Sequence, residues 1–184
     1  MVALIALVVI LGALVAWVIG LYNGLIRLRN VVKNSWSQID VQLKRRHDLI
    51  PNLVETVKGY AGHEAGTLQA VTEARAKAVS ADGPAEASKA EGELSSALGR
   101  LMVVVEQYPD LKANQNFLGL QEELTSTENK ISFSRQHYND SVMGQNTRVE
   151  SFPSNIVANA FAFIRAPYFE VPEAETAPVK VDLR

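Results

Sequence analysis

The chain contains no cysteine among its 184 residues. That excludes disulfides, thiolate metal sites, a cysteine nucleophile and cysteine lipidation. Histidine is almost as scarce, and His47, His63 and His137 lie far apart in sequence, a poor basis for a metal site. His63-Glu64 starts like a zinc helix, yet position 67 is Thr, where H-E-x-x-H requires a second imidazole. There is no glycine-rich nucleotide box and no phosphate loop. No segment carries the alternation of a strand. Lys44-Arg45-Arg46 spreads its charge around a helix, too weak a patch for nucleic acid. These absences leave no cofactor, metal or small-molecule substrate to assign, and they point away from an enzyme.

Charge is missing altogether from residues 1–26, where MVALIALVVILGALVAWVIGL is long enough to cross a bilayer core. No Lys or Arg precedes this run and no A-x-A-like cleavage site follows it, so retention as an anchor is expected over removal as a signal peptide. Trp17 and Tyr22 suit the membrane interface near the exit. Arg27, Arg29 and Lys33 follow the span with nothing basic before it, which places the N-terminus outside and the body in the cytoplasm. The same three residues are placed to meet anionic headgroups. Residues 27–62 hold seven Lys/Arg against three Asp/Glu, whereas residues 63–150 hold eight against thirteen. The base of the body is basic and the remainder acidic.

Glycine and proline are absent between Leu25 and Ile50, so the membrane helix is expected to continue into the body. Within Trp36 to Ala61, Ile39, Leu43, Arg46, Ile50, Leu53, Val57 and Tyr60 step by four and three, the seam of a packed helix. Pro51 interrupts that seam by removing one hydrogen bond and predicts a kink. Spacing carries the first helix on to about Ser80. SADGPA, residues 80–85, is a connection. A second helix runs through Leu94, Leu98, Leu101 and Val105 to Tyr108, before Pro109. Asp110 is the expected N-cap of a third, with a stripe from Phe117 through Glu128, Arg135 and Gln145 to Phe152. Ser154-Asn155 opens a short fourth. The fold class is therefore all-α, an N-terminal transmembrane helix continuing into an antiparallel four-helix bundle. The expected divisions are an anchor at 1–26, a bundle at 27–169 and a disordered tail at 170–184.

Arg45, Arg46, His47 and Asp48 offer cations, an imidazole and a carboxylate in sequence. Successive helical residues point about 100° apart and do not converge on one substrate atom, so no catalytic residue is assigned. Arg46 itself lies on the inward register. Either it meets a carboxylate inside the bundle, with Glu128 the first choice, or its long stem carries the charge to the surface.

Several short runs together resemble the LemA family: Tyr22-Asn23, Leu28 to Asn30, the whole of Trp36 to Ala61, EQYPDLKAN from Glu106, Glu128-Asn129, Tyr138 to Asp140, and FPSN from Phe152. The resemblance covers nearly everything from Tyr22 to Phe169. It implies a membrane-attached helical bundle of bacterial type, in the inner membrane, and brings no enzymatic activity with it. Arg46, Asp48, Pro51, Asn52, Glu128 and Arg135 become structural or interaction candidates. The leading expectation is a non-enzymatic, homo-oligomeric scaffold or membrane-organising element. Gly12 and Gly20, with the alanines around them, supply small faces for helix association. The alternative is an adaptor or regulatory subunit of another membrane protein, such as a protease; a hydrolase using His47, Asp48 or His63 is the third.

Overall fold

A computed structural model describes residues 1–170. Among them every regular element is helical: α1 Val2–Lys58, α2 Ala65–Ser80, α3 Gly83–Val105, α4 Pro109–Lys112, α5 Gln115–Glu150 and α6 Ser154–Ala160. The chain divides into two compact units. One combines Met1–Ser37 with Gln136–Pro167, and the other combines Gln38–Arg135 with Tyr168, Phe169 and Glu170. Apart from Glu170, the expected tail lies outside the described residues.

The unit around Gln38–Arg135 is the bundle. Its four long segments are the end of α1, α2, α3 and the first part of α5, and side-chain pairs fix their directions. Arg75 of α2 reaches the carbonyl of His47 on α1, and Lys77 of α2 reaches Glu93 of α3. Arg45 meets Glu123, while Asn114 meets Tyr60 at the far end of α1. Neighbouring segments thus run antiparallel, up-down-up-down. Ile50, Leu53 and Val57 pack with Leu68, Val71, Leu94, Leu101, Leu111 and Phe117 in one apolar core.

Three boundaries differ from the expectation. The first helix does not reach Ser80. It stops at Lys58, and α2 folds back after a turn spanning Gly59 and Gly62. A periodic stripe reports which face is buried and is blind to a reversal of direction that preserves the face. Tyr60, read as a seam residue, falls in that turn and is exposed, and Ala61 takes the buried place. Asp110 lies inside the four-residue α4. The cap of α5 is Asn114, whose Oδ1 accepts from the Asn116 and Phe117 amides at 2.9 and 3.2 Å. Between α2 and α3 the chain turns at Gly83 with φ 76°, a conformation that glycine adopts without steric cost.

In the other unit, α6 lays Ser154, Val157 and Ala158 inward, the spacing of one helical face. Val157, Ala158 and Phe163 form a small core with Leu21, Leu25 and Val149. Ser154 Oγ donates towards two carbonyls around the end of α5, that of Arg148 at 2.6 Å and that of Ser151, which also accepts from the Asn155 amide, at 2.9 Å. α6 ends in a left-handed residue, Ala162 with φ 53°. The Ala162 amide bonds to Asn159 O and the Phe163 amide to Ala158 O, the two bonds of a Schellman turn. The segment that follows is held along α5 by side chains. Tyr138 Oη donates to Pro167 O at 2.8 Å, Gln145 Nε2 to Ile164 O at 3.2 Å, and Asn146 exchanges two bonds with Ala166 at 3.0 and 2.8 Å. Burial pushes the Tyr138 hydroxyl up to about 12. Phe152, expected to close the α5 stripe, is instead 80% exposed, because α5 ends at Glu150 and Phe152 lies in the turn before α6.

Candidate functional site: a buried Arg–Glu–His network

The seam register of α1 turns Arg46 into the bundle, where its side chain is 6% exposed. Its guanidinium is divided among three partners. Nη1 lies 3.2 Å from Glu91 Oε2 and 3.0 Å from Glu128 Oε2, and Nη2 donates to Ser95 Oγ at 2.8 Å. Glu128, the partner expected from the sequence, is 45% exposed and forms the rim. Glu91, 7% exposed, is the buried carboxylate. A buried arginine and carboxylate tolerate each other only when both are paired and their remaining donors and acceptors are met, and a guanidinium fork suits that task better than an ammonium.

His47 completes the set. Its Nε2 lies 2.5 Å from Glu91 Oε1, and because a carboxylate can only accept, the imidazole donates. Arg46 and His47 therefore converge on one carboxyl group, one on each oxygen. The angle between successive helical residues is about 100°, which was expected to keep them apart. They share no single atom, but Glu91 enters from α3 between them and offers each a separate oxygen. Glu91 also had a sequence signal: it stands three residues before Leu94 and seven before Leu98 on the stripe that α3 buries.

Pro51 is explained by the same region. It sits on the exposed face of α1, which continues unbroken through it. Lacking an N–H, Pro51 leaves the carbonyl of His47 without its helical donor. Arg75 Nε supplies one from α2 at 2.7 Å.

The other candidates stand apart from this network. Asp48 and Asn52 are exposed on α1, and Asn52 borders a shallow groove with Thr56, Gln115 and Glu123. Arg135 is half-buried on α5. A second open groove, between α2 and α3, is lined by Glu73, Lys77, Lys89, Glu93 and Arg100. There Lys77 and Glu93 pair at 2.9 Å. The hydrogen bond and then the charge of each partner raise the Lys77 ammonium and lower the Glu93 carboxyl from their ordinary values. Among the described residues no group of three or more His, Asp or Glu side chains is arranged to hold a metal.

At the membrane end, Trp17, Arg27, Arg29 and Lys33 are exposed. Tyr22 is half-covered, with the rings of Phe161 and Phe163 edge-on at 4.8 and 5.7 Å. The Arg29 guanidinium lies 5.2 Å from the centre of the Phe163 ring. Residues 2–17 are exposed throughout, and they open an uncharged run, residues 1–26, that is long enough to span a bilayer.

An exposed apolar helix leading into a helical body that is pinned by internal charge defines a membrane-anchored helical-bundle protein. The model of the LemA family matches residues 35–183, and the chain belongs to that family. It is 29% identical to the Protein LemA of Metamycoplasma hominis over 88% of this chain and 74% of that one. It is 26% identical to Magnetosome protein MamQ 2 of Paramagnetospirillum magneticum, over 91% of this chain and 71% of the relative. Magnetosome protein MamQ of Magnetospirillum gryphiswaldense is 25% identical over 86% and 68%.

Proposed function

We propose that the protein is a non-enzymatic scaffold of the bacterial inner membrane, self-associating through its anchor and body, with the body on the cytoplasmic side. The observation that carries the reading is the disposition of polar and apolar groups. The convergent ionisable set, Arg46, His47 and Glu91, is nine-tenths buried and engaged within the bundle, with Ser95 and Glu128 as further partners of Arg46, which supports a stabilising role over contact with a substrate. The apolar residues of the anchor from Val2 to Trp17, by contrast, have no cover within the protomer. A Cβ added at Gly12 or Gly20 would meet nothing within 4 Å, so another helix has room to approach closely there. None of the three relatives carries a name that states a reaction.

Because the chain has no cysteine, a single introduced thiol reports self-association without background. Gly12→Cys in the full-length protein, oxidised in native membranes, is expected to give a cross-linked dimer that Arg29→Cys does not. Protein that stays monomeric at both positions, and that sediments as a monomer from mild detergent, would count against the scaffold. A stoichiometric foreign subunit in the same preparation would favour an adaptor. For orientation, labelling of Arg29→Cys by a membrane-impermeant maleimide is expected only after the cells are opened.

A further inference from the structure

The unit built from Met1–Ser37 and Gln136–Pro167 leaves four large apolar side chains uncovered around α6. Phe152 is 80% exposed, Ile156 61%, Phe161 56% and Ile164 79%. Phe161 sets one edge of its ring against Tyr22, but the folding of this unit does not call for the others to be apolar, since the face of α6 that packs is the opposite one, Ser154, Val157 and Ala158.

Their position says what covers them. α6 packs on Leu21 and Leu25, with Val18 and Tyr22 at the margin. Phe161 lies against Tyr22, and Phe163 lies between Tyr22 and Arg29. The Schellman turn at Ala162 therefore sets Phe161 beside the last turns of the apolar stretch and Ile164 just beyond it. The exposed side chains continue the surface of the membrane span at the level where charge first appears. Cations flank them: Arg27, Arg29 and Lys33 on α1, Arg148 on α5, and Arg165 after α6, against two carboxylates in the unit, Glu150, which is itself bound to Arg165 at 2.9 Å, and Asp140 further up α5. Apolar side chains ringed by positive charge at the rim of a span match a layer of acyl chains beneath anionic headgroups.

The geometry points to a second membrane contact, a foot formed by Phe152, α6, Phe161 and Ile164 that beds into the headgroup layer of an anionic bilayer beside the span. The occupant of this face is lipid. The foot fixes the rotation of the anchor about its own axis, because only one side of α1 carries it. It rests on residues 2–26 crossing the membrane and is independent of self-association.

The cysteine-free chain allows a direct measurement. Full-length protein carrying Ile156→Cys, Phe161→Cys or Ile164→Cys, each spin-labelled and reconstituted into vesicles of phosphatidylcholine and phosphatidylglycerol, is scored by collision with oxygen and with a water-soluble nickel chelate. All three labels are expected to be oxygen-accessible and nickel-shielded, at depths of about 5–10 Å. Asp140→Cys, ten residues before Glu150 at the end of α5, serves as the water reference, and Leu11→Cys reports the span. Water-like values at all three positions, with Leu11→Cys in lipid, overturn the foot alone. Water-like values at Leu11→Cys as well overturn the membrane span and the foot together. Shielding from both reagents means that protein covers the face, a second copy or a partner, and also overturns the proposal.

Discussion

The two units bury polar groups in different ways. In the unit around Gln38–Arg135 the buried charged or chargeable side chains satisfy one another: Arg46, Glu91 and His47, with Ser95 and Glu128 at the edge, while the hydroxyls of Ser88 and Thr127 bond to backbone carbonyls. In the unit around Gln136–Pro167 every buried polar side chain is neutral; Ser35 pairs with the Ser141 hydroxyl, and Tyr138, Gln145, Asn146 and Ser154 all reach peptide groups. The difference follows from what each has to hold. A charge buried between helices needs a counter-charge, which only another side chain supplies. A non-helical segment brings bare amides and carbonyls with it, and amide and hydroxyl side chains match these without the desolvation cost of a full charge.

The comparison breaks first at Glu91. Glu91→Leu leaves Arg46 with only the half-exposed Glu128 and Ser95 and takes away the partner of His47; it is expected to cost about 3 kcal/mol, read as a loss of thermal stability of the full-length protein in micelles. Arg46→Met combined with Glu91→Leu should recover most of that loss, because two matched apolar side chains replace the pair. If the double variant is as unstable as the sum of the singles, the two residues are not coupled. In the neutral region Asn146→Ala removes two hydrogen bonds and should cost less, about 2 kcal/mol, with faster tryptic cleavage after Arg165 as its local sign. An unchanged cleavage rate would mean that the segment is held by something else.

Tyr138→Phe is smaller again, about 1 kcal/mol at neutral pH. It also carries a pH signature. The folded-state pKa of Tyr138, raised to about 12 from an ordinary 10, means that between these values the native protein holds a proton the unfolded chain has lost. That stability is complete below pH 10 and falls as pH rises towards 12. The phenylalanine variant should lose this slope while retaining the rest of the alkaline transition. Smallest, and opposite in sign, is Ala162→Gly. Relieving a left-handed alanine should stabilise by about 0.5–1 kcal/mol, net of the added freedom of the unfolded chain. A fall in melting temperature would show that the Schellman geometry of this residue is misassigned.

How far the sequence carries the structure depends on which physical signal each feature leaves. Burial of Leu43, Ile50, Leu53 and Val57 is written in their spacing, and so is the inward direction of Arg46. The anchor is written in hydropathy. The turn at Gly59 to Glu64 is not, because a stripe that ends and restarts on the same face looks continuous. Glu91 was legible in principle, as an acid on a buried stripe, but an acid in such a place reads as surface until its cation is known. The ties of Gln145, Asn146 and Tyr138 leave no periodic trace, since their partners are peptide groups that every residue has. Asn114 as a cap competes with Asp110 four residues earlier, and only the short α4 between them decides.

The missing amide of Pro51 has a consequence for assembly of the bundle. Every other interior carbonyl of a regular helix is claimed by the N–H four residues on, and the one at His47 is vacant until Arg75 arrives. The vacancy acts as a notch with a single key. If α2 slid along α1 by one turn, about 5.4 Å, the Arg75 guanidinium would face a carbonyl already taken, and the notch would stay empty. Two smooth apolar stripes of leucine, valine and alanine tolerate such a slip poorly but do not forbid it; a proline on the outer face gives them a unit of measure. The residue that looks like damage to the helix is thus a mark of axial position, setting which turn of α2 lies beside which turn of α1.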